Sequence, residues 1–211
     1  MTQVTFKGNT VNTVGELPTK GNPAPEFNLT KTDMSDIHLS DFKGRRLVLN
    51  IFPSIETPVC SASVKRFNND VEKLENTEVL CISRDLPFAH ARFNVEQEIK
   101  NVISLSELRD SAFGENYGVR MTDGPLAGLF ARAVVVVDEN SKVAYTQLVP
   151  EIAEEPDYAS VLKLLGRDAG DLEFCTSTPT RSIPAQRRMK DRAMTAPAEE
   201  SDHCDSHITD R

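Results

Sequence analysis

The four cysteines and four histidines of this 211-residue chain are few enough to weigh one by one as chemical groups. The cysteines stand at positions 60, 81, 175 and 204, with no Cys-x-x-Cys pair and no zinc-finger spacing. A disulfide scaffold or a structural zinc site is therefore not expected. Cys60 differs from the others in what precedes it. Thr57 and Pro58 form a helix-start signal, N-cap then first helical residue, which makes Cys60 the third residue of a helix. There, unpaired backbone N–H groups and the positive end of the helix dipole stabilise a thiolate. Cys81, set among Val79, Leu80 and Ile82, has no evident charge partner in the sequence and reads as packing.

Two absences narrow the chemistry open to Cys60. Dithiol exchange wants a second cysteine three residues on, where Ser63 stands. A cysteine hydrolase wants a histidine base. His38 reads as an exposed or structurally satisfied strand residue and His90 as a solvated helix-face residue, while His203 and His207 fall near the C-terminus. The stretch DHCDSH, residues 202–207, offers metal donors but no second ligand cluster, so no metal is expected. Arg132 stands just before an apolar run; it fits an ordinary end-of-strand charge and equally the cationic partner a thiolate needs. A thiolate held by a helix terminus, a hydroxyl and an arginine suits attack on the O–O bond of a peroxide. That reaction needs no general base once the thiol has ionised, but it needs donors for the departing oxygen.

The elements that must position these groups follow from hydrophobic spacing. Leu47, Val48, Leu49, Ile51 and Phe52 form a short, nearly continuous apolar run, expected as a central strand covered on both faces and stopped by Pro53. Val64, Phe67, Val71 and Leu74 then recur at helical spacing, so Cys60 sits at a strand-to-helix junction, the carboxyl edge where α/β sheets place their sites. Before this junction, 4–14 reads as an N-terminal hairpin around Lys-Gly-Asn, followed by short strands and a connecting loop through His38. After it, strands are expected at 77–83 and 102–108, with helices over 86–99 and 111–119, the latter closed by Gly118. A glycine- and proline-containing loop leads into a hairpin over 131–149. A last helix over 154–166 has Asp157 as its cap. Strand–helix alternation ending in an antiparallel hairpin implies one α/β domain, a mixed sheet with helices on both faces.

The formal charge of −8 argues against a general nucleic-acid or membrane-surface binder. The first residues, MTQVTFKGNT, contain no apolar core behind a basic segment, so neither a secretory signal nor a membrane helix is expected, and the cytoplasm is the expected location. From about Gly170 the composition changes to proline, serine, threonine and charge, with a basic run at 187–192 and an acidic one at 199–205. Such a segment cannot build a core and reads as a disordered tail.

PSIETPVC, Pro53 to Cys60, matches the PxxxTxxC pattern of the peroxiredoxins. NIFPSIETPVC, SRDLPFAHARF, DGPLAGLFARAVVVVDEN and EPDY, in that order, resemble the bacterial thiol peroxidase branch of that family. The resemblance divides the chain into a thioredoxin-like peroxiredoxin domain, 1–167, and a tail, 168–211. It implies a thioredoxin-like fold with a central mixed sheet, a homodimer, and reduction of hydrogen peroxide and organic hydroperoxides without metal, haem or flavin. It also implies roles: Cys60 for the peroxidatic cysteine, Thr57 for the hydroxyl that orients the peroxide, Pro53 for shielding, and Arg132 for the cation on thiolate and peroxide oxygen. One position departs from the pattern. Where the branch carries a resolving cysteine, this chain has Asn94. The expected cycle therefore oxidises Cys60 to a sulfenic acid and reduces it by an external thiol, thioredoxin or similar. Cys175 or Cys204 swinging in from the tail, and a peroxide-sensing switch with little turnover, remain the alternatives.

Overall fold

The computed structural model describes residues 1–72 and 74–166. The tail cysteines Cys175 and Cys204, the DHCDSH stretch, the charged runs and the 168–211 reading as a whole lie outside the described residues.

The N-terminal hairpin forms a two-stranded sheet of its own, β1 (Gln3–Phe6) against β2 (Asn9–Asn12). Its turn residues Lys7 and Gly8 have φ of 52° and 77°, the left-handed conformations that a two-residue hairpin turn requires. The main sheet has seven strands. These are β3 (Asn28–Lys31), β4 (Asp36–His38), β5 (Arg46–Ile51), β6 (Thr77–Ser83), β7 (Ile103–Ser106), β8 (Ala133–Val137) and β9 (Val143–Leu148), in the order β4-β3-β7-β6-β5-β8-β9. Strands β5, β6 and β7 are parallel, while β3, β8 and β9 pair antiparallel with their neighbours. The mixed sheet expected from the alternation of elements is thus present. The loop expected after His38 contains a single 3-10 turn, Leu39–Phe42, and His38 itself is exposed.

The helices are α1 (Pro58–Val71), α2 (Pro87–Glu96), α3 (Ala112–Asn116) and α4 (Tyr158–Leu164). Strand β5 is buried on both sides by its own alternation. Leu47, Leu49 and Ile51 join one core with Phe113 of α3, and Val48 joins the other with Val64 and Phe67 of α1, Phe93 of α2 and Val161 of α4. Each fully buried aliphatic chain contributes about 1.5–3 kcal/mol, so the strand that delivers the chain to Pro53 is firmly anchored.

All four helices are shorter than the sequence suggests, α3 and α4 falling within the expected 111–119 and 154–166. α1 ends at Val71, although Leu74 still packs on its core. α2 ends at Glu96, because Glu98 turns left-handed with φ of 53°. At the end of α3, Gly118 has φ of 67°, and a Cβ there would fall 2.2 Å from the Glu16 carbonyl oxygen, so only glycine fits. The cap of α4 is the expected one, with Asp157 Oδ1 accepting from Ser160 N at 3.0 Å.

Candidate active site

Cys60 is the third residue of α1, as its Thr-Pro signal requires, and it is fully buried. Thr57 occupies the N-cap position with extended backbone, φ −94° and ψ 145°, but its side chain does not cap the helix. Its hydroxyl instead lies 2.7 Å from Cys60 Sγ and 3.1 Å from the Ser54 carbonyl oxygen. One hydroxyl has one proton, so it donates to the sulfur or to the carbonyl, not to both. The cap residue has been turned from the helix to the cysteine.

Arg132 immediately precedes β8 and is 2% exposed. Its Nη2 donates to Cys60 Sγ at 3.3 Å and its Nε to the Ile152 carbonyl at 3.0 Å, while Nη1 has no partner among the described residues. A buried guanidinium is costly unless its charge is answered. Cys60 Sγ is the side-chain acceptor it is bonded to among the described residues. Pro53, Thr57 and Arg132 share the wall of a cavity of about 260 Å³, whose remaining wall is largely apolar and includes Phe6, Leu126, Leu129 and Ile152. All four residues singled out in the sequence therefore meet at one place, from two separate segments, 53–60 and the start of β8. Cys175 and Cys204 lie outside the described residues.

Comparisons with known proteins place the chain in a family. Residues 19–162 match the family model described as Redoxin. The thiol peroxidase of Mycobacterium tuberculosis is 52% identical over 166 residues, which cover 79% of this chain and 99% of that protein. The chain belongs to the peroxiredoxins, in their thiol peroxidase branch. The thiol peroxidase of Corynebacterium glutamicum is 53% identical over 165 residues, covering 78% of this chain and 99% of its own. Among solved structures, a peroxiredoxin-like protein from Aquifex aeolicus superposes with a TM-score of 0.74 at 39% identity, over 77% of this chain and 95% of that one. A thiol peroxidase from Chromobacterium violaceum, at 23% identity and a TM-score of 0.73 over 78% and 96%, shares the fold.

Several residues around this peroxiredoxin site were not singled out in the sequence. Asp85, at the end of the loop after β6, accepts from Ser54 Oγ at 2.8 Å, from Ile55 N at 2.7 Å and from Ser83 Oγ at 2.7 Å. His90 lies beside Ser83, its Nε2 2.9 Å from Ser83 Oγ, and it is fully buried rather than solvated. Burial holds its basicity below the ordinary imidazole value, against the opposing pull of Asp85. The expectation of a solvated face overlooked spacing: Pro87, His90 and Phe93 recur every three residues and form the inner face of α2. On the other side, Glu151 accepts from the backbone N–H groups of Lys7, Gly8 and Ala153 and from Thr5 Oγ1. These bonds, led by the Gly8 and Ala153 amides, pull its carboxyl down to about 2. They tie the hairpin to the segment whose Ile152 carbonyl holds Arg132.

The two remaining cysteine-related expectations differ in outcome. Cys81 is fully buried, and desolvation pushes its thiol up to about 12, with only an Asn50 amide contact in opposition. It packs, as its neighbours in sequence suggest. Asn94 accepts from Ser104 Oγ at 3.0 Å, which ties α2 to β7 at the position where the branch carries its second cysteine.

Proposed function

We propose that Cys60 is the sulfur through which this thiol-dependent peroxidase reduces hydroperoxides. The observation that carries the reading is the convergence of two donors, Thr57 Oγ1 and Arg132 Nη2, on one sulfur at a helix start. The thiolate attacks the terminal oxygen of ROOH; the S–O bond forms as the O–O bond breaks, and the departing alkoxide leaves as ROH after taking a proton. Arg132 holds sulfur and oxygen together, its unpartnered Nη1 being available to the oxygen, and Thr57 orients the peroxide. Pro53 shields the site. One external thiol then displaces water from the sulfenic acid to give a mixed disulfide, and a second thiol releases Cys60 and leaves as the disulfide. The apolar cavity supports organic hydroperoxides alongside hydrogen peroxide as substrates.

External reduction by thioredoxin or a similar thiol is supported by Asn94, which cannot form a disulfide and is already bonded to β7. The relatives' names favour turnover over a switch with incidental chemistry. A homodimer is supported by Leu86 and Phe88, 54% and 64% exposed beside the Asp85 loop. Phe88→Glu is expected to give a monomer in analytical ultracentrifugation. No helix among the described residues is long and apolar enough to cross a membrane. A cytoplasmic location is supported by free Cys60 and Cys81.

The decisive experiment is peroxide consumption with thioredoxin and its reductase, paired with mass spectrometry after one equivalent of peroxide and sulfenic acid trapping. Cys60→Ser is expected to abolish turnover and trapping. A Cys60 to Cys204 or Cys60 to Cys175 disulfide would replace direct reduction with tail resolution.

A further inference from the structure

The loop between β5 and α1 bears Thr57; within it Ser54 accepts from Thr57 N and Glu56 N, and Phe52 and Ile55 pack into the core. Pro53 supplies no N–H, and the loop has to turn the chain from strand to helix within six residues, 52–57. A further polar anchor comes from the segment after β6. Asp85 takes Ser54 Oγ on one carboxylate oxygen and Ile55 N on the other. The carboxylate is itself fixed, because Ser83 Oγ donates to Oδ2, and the Asp85 carbonyl accepts from Ser106 Oγ of β7.

Ser83 has a single hydroxyl proton, and Asp85 receives it. Ser83 Oγ must then accept from the Asp85 amide, at 3.1 Å, and from His90 Nε2, at 2.9 Å. His90 thereby carries a proton on Nε2. Its Nδ1 has no partner among the described residues. A direction of donation runs from His90 through Ser83 to Asp85, and from there the carboxylate grips the loop at two successive residues. Farther along the same loop, Arg92 of α2 pairs with Glu56.

We infer that Asp85 is a positioning residue of this peroxidase, set by Ser83 and His90, which holds the 53–57 loop so that the Thr57 hydroxyl meets Cys60 Sγ. The inference rests on Cys60 and Thr57 acting as proposed above. Asp85→Asn weakens the grip without changing its shape. With the amide oxygen on Ile55 N and Ser83 Oγ, the NH2 can donate to Ser54 Oγ, so both contacts persist but lose the strength the carboxylate charge gave them. Displacing a reacting group by about 1 Å costs up to about 100-fold in rate.

Stopped-flow oxidation of Cys60 by peroxide, measured well below each variant's melting temperature, tests the inference. Asp85→Asn is expected to lower the second-order rate constant about 10- to 100-fold. Ser54→Ala, which removes one of the two grips, is expected to fall between Asp85→Asn and the parent. His90→Leu is expected to lose rate and His90→Gln to restore it, because the glutamine amide can still donate to Ser83 Oγ; a purely structural role would move the melting temperature and leave the rate constant alone. A folded Asp85→Asn with a rate constant within about twofold of the parent overturns the inference, as does a His90→Gln that falls as far as His90→Leu. If Asp85→Asn does not fold, the His90 pair decides. Cys60→Ser separates the two readings. Its continued peroxide consumption would remove the site itself, whereas an inactive Cys60→Ser beside an unimpaired Asp85→Asn removes only this inference.

Discussion

The site is held from two sides by two carboxylates that do the same job in different surroundings. Asp85 grips the loop under Thr57 and belongs to a network whose other members, Ser83 and His90, are fully buried. Glu151, half-buried as Asp85 also is, gathers three main-chain N–H groups of exposed residues and one half-buried hydroxyl, joining residues 5–8 to the segment behind Arg132. In the interior a hydrogen bond is electrostatically stronger, and an orphaned partner is costly. At the surface water replaces a lost partner. The loop side should therefore be brittle and the hairpin side forgiving, although each reaches Cys60 through one intermediary, Thr57 or Arg132.

The largest effect is expected where the two sides converge. Arg132→Met should cut the rate of peroxide oxidation by about 10²- to 10³-fold, the usual loss for a preorganised donor to developing charge. Arg132→Lys should recover little, because a single ammonium cannot hold the Ile152 carbonyl, the sulfur and an oxygen in one plane. Stopped-flow rates on both variants measure this.

Next comes the comparison itself. Asp85→Asn should fall about 10- to 100-fold in the same assay, while Glu151→Gln should stay near the parent with a modestly lower melting temperature. Equal losses in the two variants would mean that burial does not distinguish the tethers.

The smallest effects are in pH dependence, and their signs differ in position rather than direction. His90 is held below its ordinary value of 6.5, so the unfolded chain takes up a proton before the folded one does, and stability declines as pH falls below about 6.5. Glu151 is lowered from 4.5 to about 2; its contribution is complete above about 4.5 and is lost as pH falls toward 2. Denaturant melts at a series of pH values should show both limbs. His90→Gln should flatten the upper one and Glu151→Gln the lower.

Much of the site could be read directly from the chain because its signals are local. Thr57, Pro58 and Cys60 are adjacent, and a strand end, a proline and a helix cap specify the junction whatever surrounds it. Arg132 could be read only as a charge before an apolar run, and its meeting with a sulfur 72 positions away depends on β5 and β8 lying side by side. His90 was misread for the related reason that an inner helix face with one polar member looks solvated until its partner is known. That partner, Ser83, ends a neighbouring strand.

By itself, then, the sequence determined the strand and helix that present Cys60, the α/β class, and the presence of asparagine rather than cysteine at position 94. Each follows from spacing within a few residues or from the identity of one. Only the tertiary structure decided that the Thr57 hydroxyl lies against the sulfur and not on its helix, that Arg132 donates to Cys60, and that Asp85 holds the loop. These depend on which buried polar groups are left without water, and a buried donor takes the acceptor that packing brings to it, however far away that acceptor lies in the chain.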